Sequence, residues 1–282
     1  MPRNTPETPS VTLDANTPSA TPRPSRGVVV ARWLELLILF VAIPAAFWWT
    51  RLNPGVAADA LARVGVTGRL AQAIAGGRLM IPTLLVFTLL CLIWLIVDRR
   101  FPNRRLWNFR AGVRELPRIL TLFIPGAAIV SLLVWLLQPG SRVVEQAAAY
   151  GLILPTLDAN ASWLRLPRQR PELWAMIMVL YPVFSVWPQE VVYRAFFHHR
   201  YRPILSNTLA RILVSAFVFG FMHVVFQNWL APLMTLVGGL LFAWTYERSR
   251  SLLAVTIEHA LWGCLVFTIG IGWYFYGGST GG

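Results

Sequence analysis

Residues 79–97 read LMIPTLLVFTLLCLIWLIV, a run without a single charged side chain. About 17–25 such residues are needed to cross the hydrocarbon core of a bilayer. Similar apolar runs recur along the chain at 33–49, 119–137, 173–187, 209–226, 230–246 and 252–276. With 56% hydrophobic and only 13% charged residues, the composition is typical of a membrane protein. A shorter and more polar helix is expected at 188–202, so the sequence predicts an all-α polytopic membrane protein with seven to eight transmembrane helices.

The net charge of +13 comes entirely from arginine, because the chain contains no lysine. The arginines cluster between the apolar runs and are densest at 98–118. Membrane orientation explains such a distribution, because cytoplasmic loops carry an excess of basic residues. Nucleic acid is therefore not an expected partner. Since two crossings precede 98–118, the pattern predicts a cytoplasmic N-terminus and a multi-pass protein of a bacterial-type cytoplasmic (inner) membrane.

The distribution of polar residues divides the chain into five parts. The unusual polar residues of the membrane region, apart from Glu35, all fall late in the chain, which favours a helical core there. The predicted parts are a disordered cytoplasmic tail (1–30), N-terminal transmembrane helices with the arginine-rich loop (31–137), a connecting interfacial segment (138–170), the helical core (171–276) and a flexible tail (277–282).

Glu190 and Arg194 form the first polar feature of this core. Glu190 follows Pro188, and because proline suits the first turn of a helix, the carboxylate is expected near a helix N-terminus. Arg194 lies four residues on, the spacing of an ion pair along one helix face. Two interpretations stay open: a structural clamp that neutralises both charges, or a carboxylate in a water-filled cavity.

Two histidines form the second feature. His223 lies within 209–226 with Phe219 one turn before it, and His259 lies within 252–276. Ionisable side chains inside a bilayer are costly, so groups on three separate helices that can converge on one cavity favour a functional site. Histidine is suited to proton transfer near neutral pH.

The order and spacing of these residues resemble the CAAX-protease and bacteriocin-processing (Abi, CPBP) family of intramembrane proteases. Its motifs are E-E-x-x-x-R, F-x-x-x-H and H-x-x-x-N or H-x-x-x-D, and the similarity spans about 170–276. The resemblance implies an endopeptidase in which a glutamate and a histidine activate water to attack a peptide carbonyl. A later histidine and its partner would stabilise the oxyanion. The implied partners are a membrane-embedded or lipidated peptide and the lipid bilayer itself.

Carried over residue by residue, the resemblance implies catalytic roles for Glu190, His223 and His259. The implied supporting residues are Gln189, Arg194 and Phe219.

Two positions depart from the family motifs. Gln189 replaces the first glutamate, and an amide can orient water but cannot take its proton. Gly263 replaces the expected Asn or Asp after His259. Three outcomes stay open: Glu190 is the working base, the site is rearranged in a divergent subgroup, or the chain is a pseudoprotease that binds peptides without cutting them.

The main rival class is a transporter or channel that uses the same polar residues as a proton or solute pathway. A non-catalytic membrane scaffold is a third reading. The H-E-x-x-H signature of zinc proteases is absent from the sequence. We expect no cofactor and no resident metal, although Glu190, His223 and His259 could together hold a divalent ion.

Overall fold

The computed structural model describes residues 25–75 and 78–275. In this part of the chain, seven helices are long and apolar enough to cross a membrane and no strand occurs. The spanning helices are α1 (Arg26–Leu52), α4 (Met80–Val97), α5 (Phe109–Leu137), α8 (Pro171–Arg200), α9 (Thr208–Phe226), α10 (Leu230–Ser249) and α11 (Leu252–Ile269). The shorter ones are α2 (Pro54–Arg63), α3 (Gly68–Ala75), α6 (Arg142–Ala149) and α7 (Arg165–Gln169). The predicted polytopic all-α fold is thereby confirmed.

The separate helix expected at 188–202 does not exist, because α8 runs without a break through Pro188. Two π-helical stretches, Pro182–Val186 and Val191–Phe196, lie within α8 and widen its turns around the prolines. The Pro188 carbonyl instead accepts a hydrogen bond of 3.2 Å from the Thr88 hydroxyl of α4. Glu190 thus lies inside a long helix, and its expected position near a helix N-terminus is wrong.

Local capping moves several helix ends away from the apolar runs. α5 begins ten residues before the run at 119–137, because the Asn108 side chain accepts a 3.1 Å bond from the Ala111 amide. α11 ends at Ile269 instead of continuing to 276, since Gly270 follows with a φ of 108°. Residues 26–30 of the expected tail at 1–30 are helical, because α1 begins at Arg26. Residues 1–24 and the tail at 277–282 lie outside the described residues.

The core of the bundle is built around the second half of α8. α8 packs on α4 and α11, α9 packs along α10, and α5 packs on α11. Buried aromatic side chains from α1, α8 and α9 fill the centre, among them Phe40, Tyr193, Phe197 and Phe219. The outer surface of α4 instead exposes large apolar side chains, as a lipid-facing helix does. The chain is therefore a multi-pass membrane protein.

Seven successive crossings alternate in direction, so the connections at 98–108, 201–207 and 250–251 share one face of the bundle. We call this face the arginine-rich face. Among the contacts at this face, His199 lies 3.0 Å from Asp98, and Arg200 binds both oxygens of Glu35 at 2.6 and 2.8 Å. The opposite face holds the connection at 227–229 and the turn Ile271–Phe275.

Candidate active site

The Glu190 carboxylate is fully buried and both of its oxygens face protein groups. Oε1 lies 2.8 Å from Nδ1 of His259, and Oε2 lies 3.3 Å from Nε of Arg194. Since a carboxylate oxygen accepts hydrogen bonds and an imidazole N–H donates them, we assign the hydrogen to Nδ1 of His259, which donates to Glu190. Glu190 therefore joins α8 to α11 and orients the His259 imidazole.

Arg194 fixes the position of this carboxylate from the same helix. Its guanidinium donates to the Ser215 hydroxyl at 2.9 Å and to the Tyr193 carbonyl at 3.3 Å. It also lies 5.0 Å from the ring centroid of Phe219. Of the two interpretations left open by the sequence, the geometry supports a charge clamp, because neither Glu190 nor Arg194 is exposed.

His259 is held by aromatic rings on two sides. It stacks on Phe242 with ring centroids 4.5 Å apart and meets Phe219 edge-on at 5.6 Å. With Nδ1 engaged by Glu190, the other ring nitrogen, Nε2, lies 3.3 Å from the hydroxyl of Tyr181. Nε2 is therefore the atom through which His259 can act on a ligand.

His223 lies at the end of α9 rather than deep inside the α-helix, since α-helical geometry stops at Met222 and a 3₁₀ turn follows. Its Nδ1 lies 2.7 Å from the Phe219 carbonyl. A carbonyl can only accept, so Nδ1 carries the hydrogen and Nε2 keeps a lone pair that can take a proton. The His223 and Phe219 ring centroids are 4.9 Å apart.

Phe219 thus contacts both imidazoles, which brings the two predicted histidines into one region. In the part of the chain that the structure describes, no hydrogen bond joins His223 to Glu190. The three predicted catalytic residues therefore form a bonded pair, Glu190 with His259, and a separate imidazole across Phe219.

The amide nitrogen of Gln189 donates to the Ser185 hydroxyl at 2.8 Å. Its Oε1 is buried and has no hydrogen-bond partner among the described residues. Buried acceptors are nearly always satisfied by protein or ordered water, so this oxygen is available to a water molecule or a substrate N–H. Gln189 offers a fixed acceptor in place of a base.

Tyr181 is a site residue that sequence reasoning missed. A Cβ atom at position 263 would overlap the ring and hydroxyl of Tyr181. The glycine that departs from the family motif therefore makes room for a phenol, whose hydroxyl lies beside Nε2 of His259. No local signal identified Tyr181, because a single tyrosine inside an apolar run matches none of the family motifs.

Glu258 is a further buried carboxylate next to the site in sequence. Neither of its oxygens has a hydrogen-bond partner among residues 25–75 and 78–275. Within those ranges, no three His, Cys, Asp or Glu side chains are grouped as a metal site requires. The expectation that the protein uses no metal or other cofactor stays a prediction.

Residues 171–265 of the 282-residue chain match the sequence model of a family described as "Type II CAAX prenyl endopeptidase Rce1-like". The match covers α8, α9, α10 and most of α11, and hence every site residue named above. It confirms the resemblance to the CAAX proteases for this segment, and that family is a family of proteases. No curated protein and no solved structure matches the chain significantly.

Proposed function

We propose that this protein is an intramembrane endopeptidase that hydrolyses a peptide bond of a membrane-embedded or lipidated peptide. One observation carries the proposal. Two imidazoles contact the same phenylalanine ring and each has Nδ1 engaged by an acceptor, which leaves Nε2 of His223 for proton transfer and Nε2 of His259 beside the Tyr181 hydroxyl. The match of residues 171–265 to a CAAX endopeptidase family supports the same reaction class.

In the first step, His223 is the general base. Its Nε2 takes a proton from water while the water oxygen attacks the carbonyl carbon of the scissile bond. Oε1 of Gln189 accepts the second hydrogen of the water and holds the molecule in place. Glu190 is not assigned as the base, because its Oε1 accepts from His259 and its carboxylate is paired with Arg194, although Oε2 has no hydrogen-bond partner among the described residues.

In the second step, the oxyanion of the tetrahedral intermediate is stabilised from the side of His259. The Tyr181 hydroxyl donates to the oxyanion and takes the place of the Asn or Asp that position 263 lacks. A protonated His259 donates from Nε2 to the Tyr181 oxygen, and the Glu190 carboxylate balances the imidazolium charge. His223 then returns its proton to the leaving amine, which yields a carboxylate and an amine.

The position of the site supports a substrate that enters from the bilayer. All of its residues belong to α8, α9, α10 and α11, which are membrane-spanning helices. Their apolar exteriors would exclude a fully soluble peptide and accept a lipid-anchored or transmembrane one. The excess of arginine at 98–118 favours a cytoplasmic location for the arginine-rich face and the N-terminus.

The test is peptide hydrolysis in H₂¹⁸O by the full-length protein in proteoliposomes. The probes are a farnesylated C-terminal peptide and an unlipidated single-span peptide, with products identified by mass spectrometry. We expect one ¹⁸O atom in each new carboxylate. His223→Ala and His259→Ala should slow cleavage by about 100-fold or more.

His199→Ala is the matched control, since His199 pairs with Asp98 at the arginine-rich face. It should keep the wild-type rate. Unchanged cleavage in both site variants would reject the assigned site. Binding of the peptides without ¹⁸O incorporation would favour the pseudoprotease, and flux without cleavage would favour the transporter.

A further inference from the structure

A basic cavity of about 710 Å³ lies at the arginine-rich face. It lies between the connection at 98–108 with the start of α5 on one side and the end of α10 with Arg250 on the other, and none of the candidate catalytic residues lines it. Four arginines line the cavity, Arg104, Arg105, Arg110 and Arg250, together with Trp107, Asn108, Phe109 and Ser249.

The cavity holds more positive than negative charge. Among the described residues, Arg104, Arg105 and Arg110 form no ion pair with a carboxylate. Arg250 does pair with Glu247, but that carboxylate is shared, because it also binds Arg211 and His198 at 2.8 and 2.7 Å. Several guanidinium groups around one space repel one another, and a bound anion would relieve that repulsion.

Two helix N-termini add to this positive potential. α5 begins at Phe109, and α11 begins at Leu252 directly after its cap Ser251. The Ser251 hydroxyl donates to the Asn108 carbonyl at 3.1 Å, which joins the two helix ends. Helix N-termini favour anions through their free amide groups and their dipole. The C-terminus of α10 also lies here and carries a negative partial charge, but the cation of Arg250 follows it directly.

Exposed aromatic side chains mark the depth of the cavity in the membrane. Trp107 and Phe109 line its wall and are 60% and 66% exposed. Aromatic side chains at the ends of membrane helices lie at the level of the lipid headgroups. Basic pockets between membrane helices at this level are suited to anionic headgroups.

We propose that this cavity binds a phosphate ester group through Arg104, Arg105 and Arg110, and that an anionic phospholipid supplies it. A soluble phosphate shares the chemistry of the headgroup. The exposed Trp107 and Phe109 favour the lipid, because they give its acyl chains an apolar contact beside the phosphate. The site is separate from the proposed active site and does not depend on peptide hydrolysis.

The experiment titrates the full-length protein in neutral detergent with three probes: phosphatidylglycerol, phosphatidylcholine and inorganic phosphate. The midpoint of thermal unfolding and native mass spectrometry report binding. Phosphatidylglycerol should raise the midpoint and be retained, whereas the other two should do neither. The double variant Arg104→Gln/Arg105→Gln should weaken phosphatidylglycerol binding by about 30-fold.

Arg99→Gln/Arg114→Gln is the matched control, since both arginines are exposed and lie near the same face outside the cavity. It removes the same charge and should leave phosphatidylglycerol binding unchanged. If the double variant fails to fold, Arg110→Gln alone should still weaken binding several-fold. Equal weakening of phosphatidylglycerol binding in the cavity and control variants would overturn the proposal. So would a wild type that responds to neither phosphatidylglycerol nor inorganic phosphate. An equal response to inorganic phosphate would overturn the lipid source.

Discussion

Replacement of Arg194 by methionine would leave the Glu190 carboxylate without its cation inside the bundle. Methionine fills much of the same space but supplies no charge. The variant loses the 3.3 Å contact to Glu190 and the 2.9 Å bond to Ser215, and both contacts are buried. Breaking a buried ion pair by removing one partner costs about 3–5 kcal/mol, because the remaining charge stays desolvated. We expect a loss of unfolding free energy in that range.

The assay is SDS-driven unfolding of the detergent-solubilised protein, followed by circular dichroism. Glu190→Gln/Arg194→Met should be more stable than Arg194→Met alone, because no isolated carboxylate remains. The interaction free energy from the double-mutant cycle should be about 0.5–3 kcal/mol.

Arg248→Met is the control for this cycle. Arg248 also lies 3.3 Å from a carboxylate, that of Glu115, but its side chain is 55% exposed. Its loss should therefore cost less than about 1 kcal/mol. If Arg194→Met cost no more than this control, Glu190 would be in contact with water, and the argument that it cannot act as the base would fail.

Three further predictions follow from other contacts. Gly263→Ala should displace the Tyr181 phenol and slow cleavage about as much as Tyr181→Phe, by about 100-fold or more in kcat/KM; a wild-type rate in both would remove Tyr181 from the mechanism. Glu247→Gln should lower the unfolding free energy by about 3 kcal/mol or more, because it leaves Arg211 buried without a carboxylate; a loss below about 1 kcal/mol in SDS unfolding would contradict this. The Arg100 amide and, after it, the His199 ring hold the pKa of Asp98 below its usual value of about 4. These two contacts therefore stabilise the folded state fully above about pH 4, and that stabilisation is lost as the pH falls through the folded-state pKa of Asp98. Asp98→Asn should therefore lower the thermal midpoint at pH 7 and differ less from the wild type near pH 3.5, and a constant difference would contradict the assignment.

Helices that follow length and hydropathy alone were predictable from the sequence. The apolar run at 79–97 corresponds to α4, Met80–Val97, because the length of that run alone sets the ends of this helix. The break expected at Pro188 did not occur, because α8 continues through it with π-helical stretches on either side, and the Pro188 carbonyl accepts from the Thr88 hydroxyl of α4. That donor lies 100 residues away in the chain, so no local pattern could reveal it.

The same distinction holds for the candidate site. The Glu190–Arg194 pair follows from i,i+4 spacing, and so does the contact of His223 with Phe219. The contact of Glu190 with His259 joins residues 69 positions apart, and the space for Tyr181 depends on a glycine of another helix. Sequence motifs named the residues, but only the packing of α8 against α11 determines which atoms are left free to react.

The most direct test of the account is ¹⁸O incorporation into the cleaved farnesylated peptide by the wild type, His223→Ala and His259→Ala in parallel. The account predicts one ¹⁸O atom in the new carboxylate with the wild type and almost none with either variant, while both variants stay folded. Equal incorporation by all three proteins would contradict the claim that these two imidazoles carry out the hydrolysis.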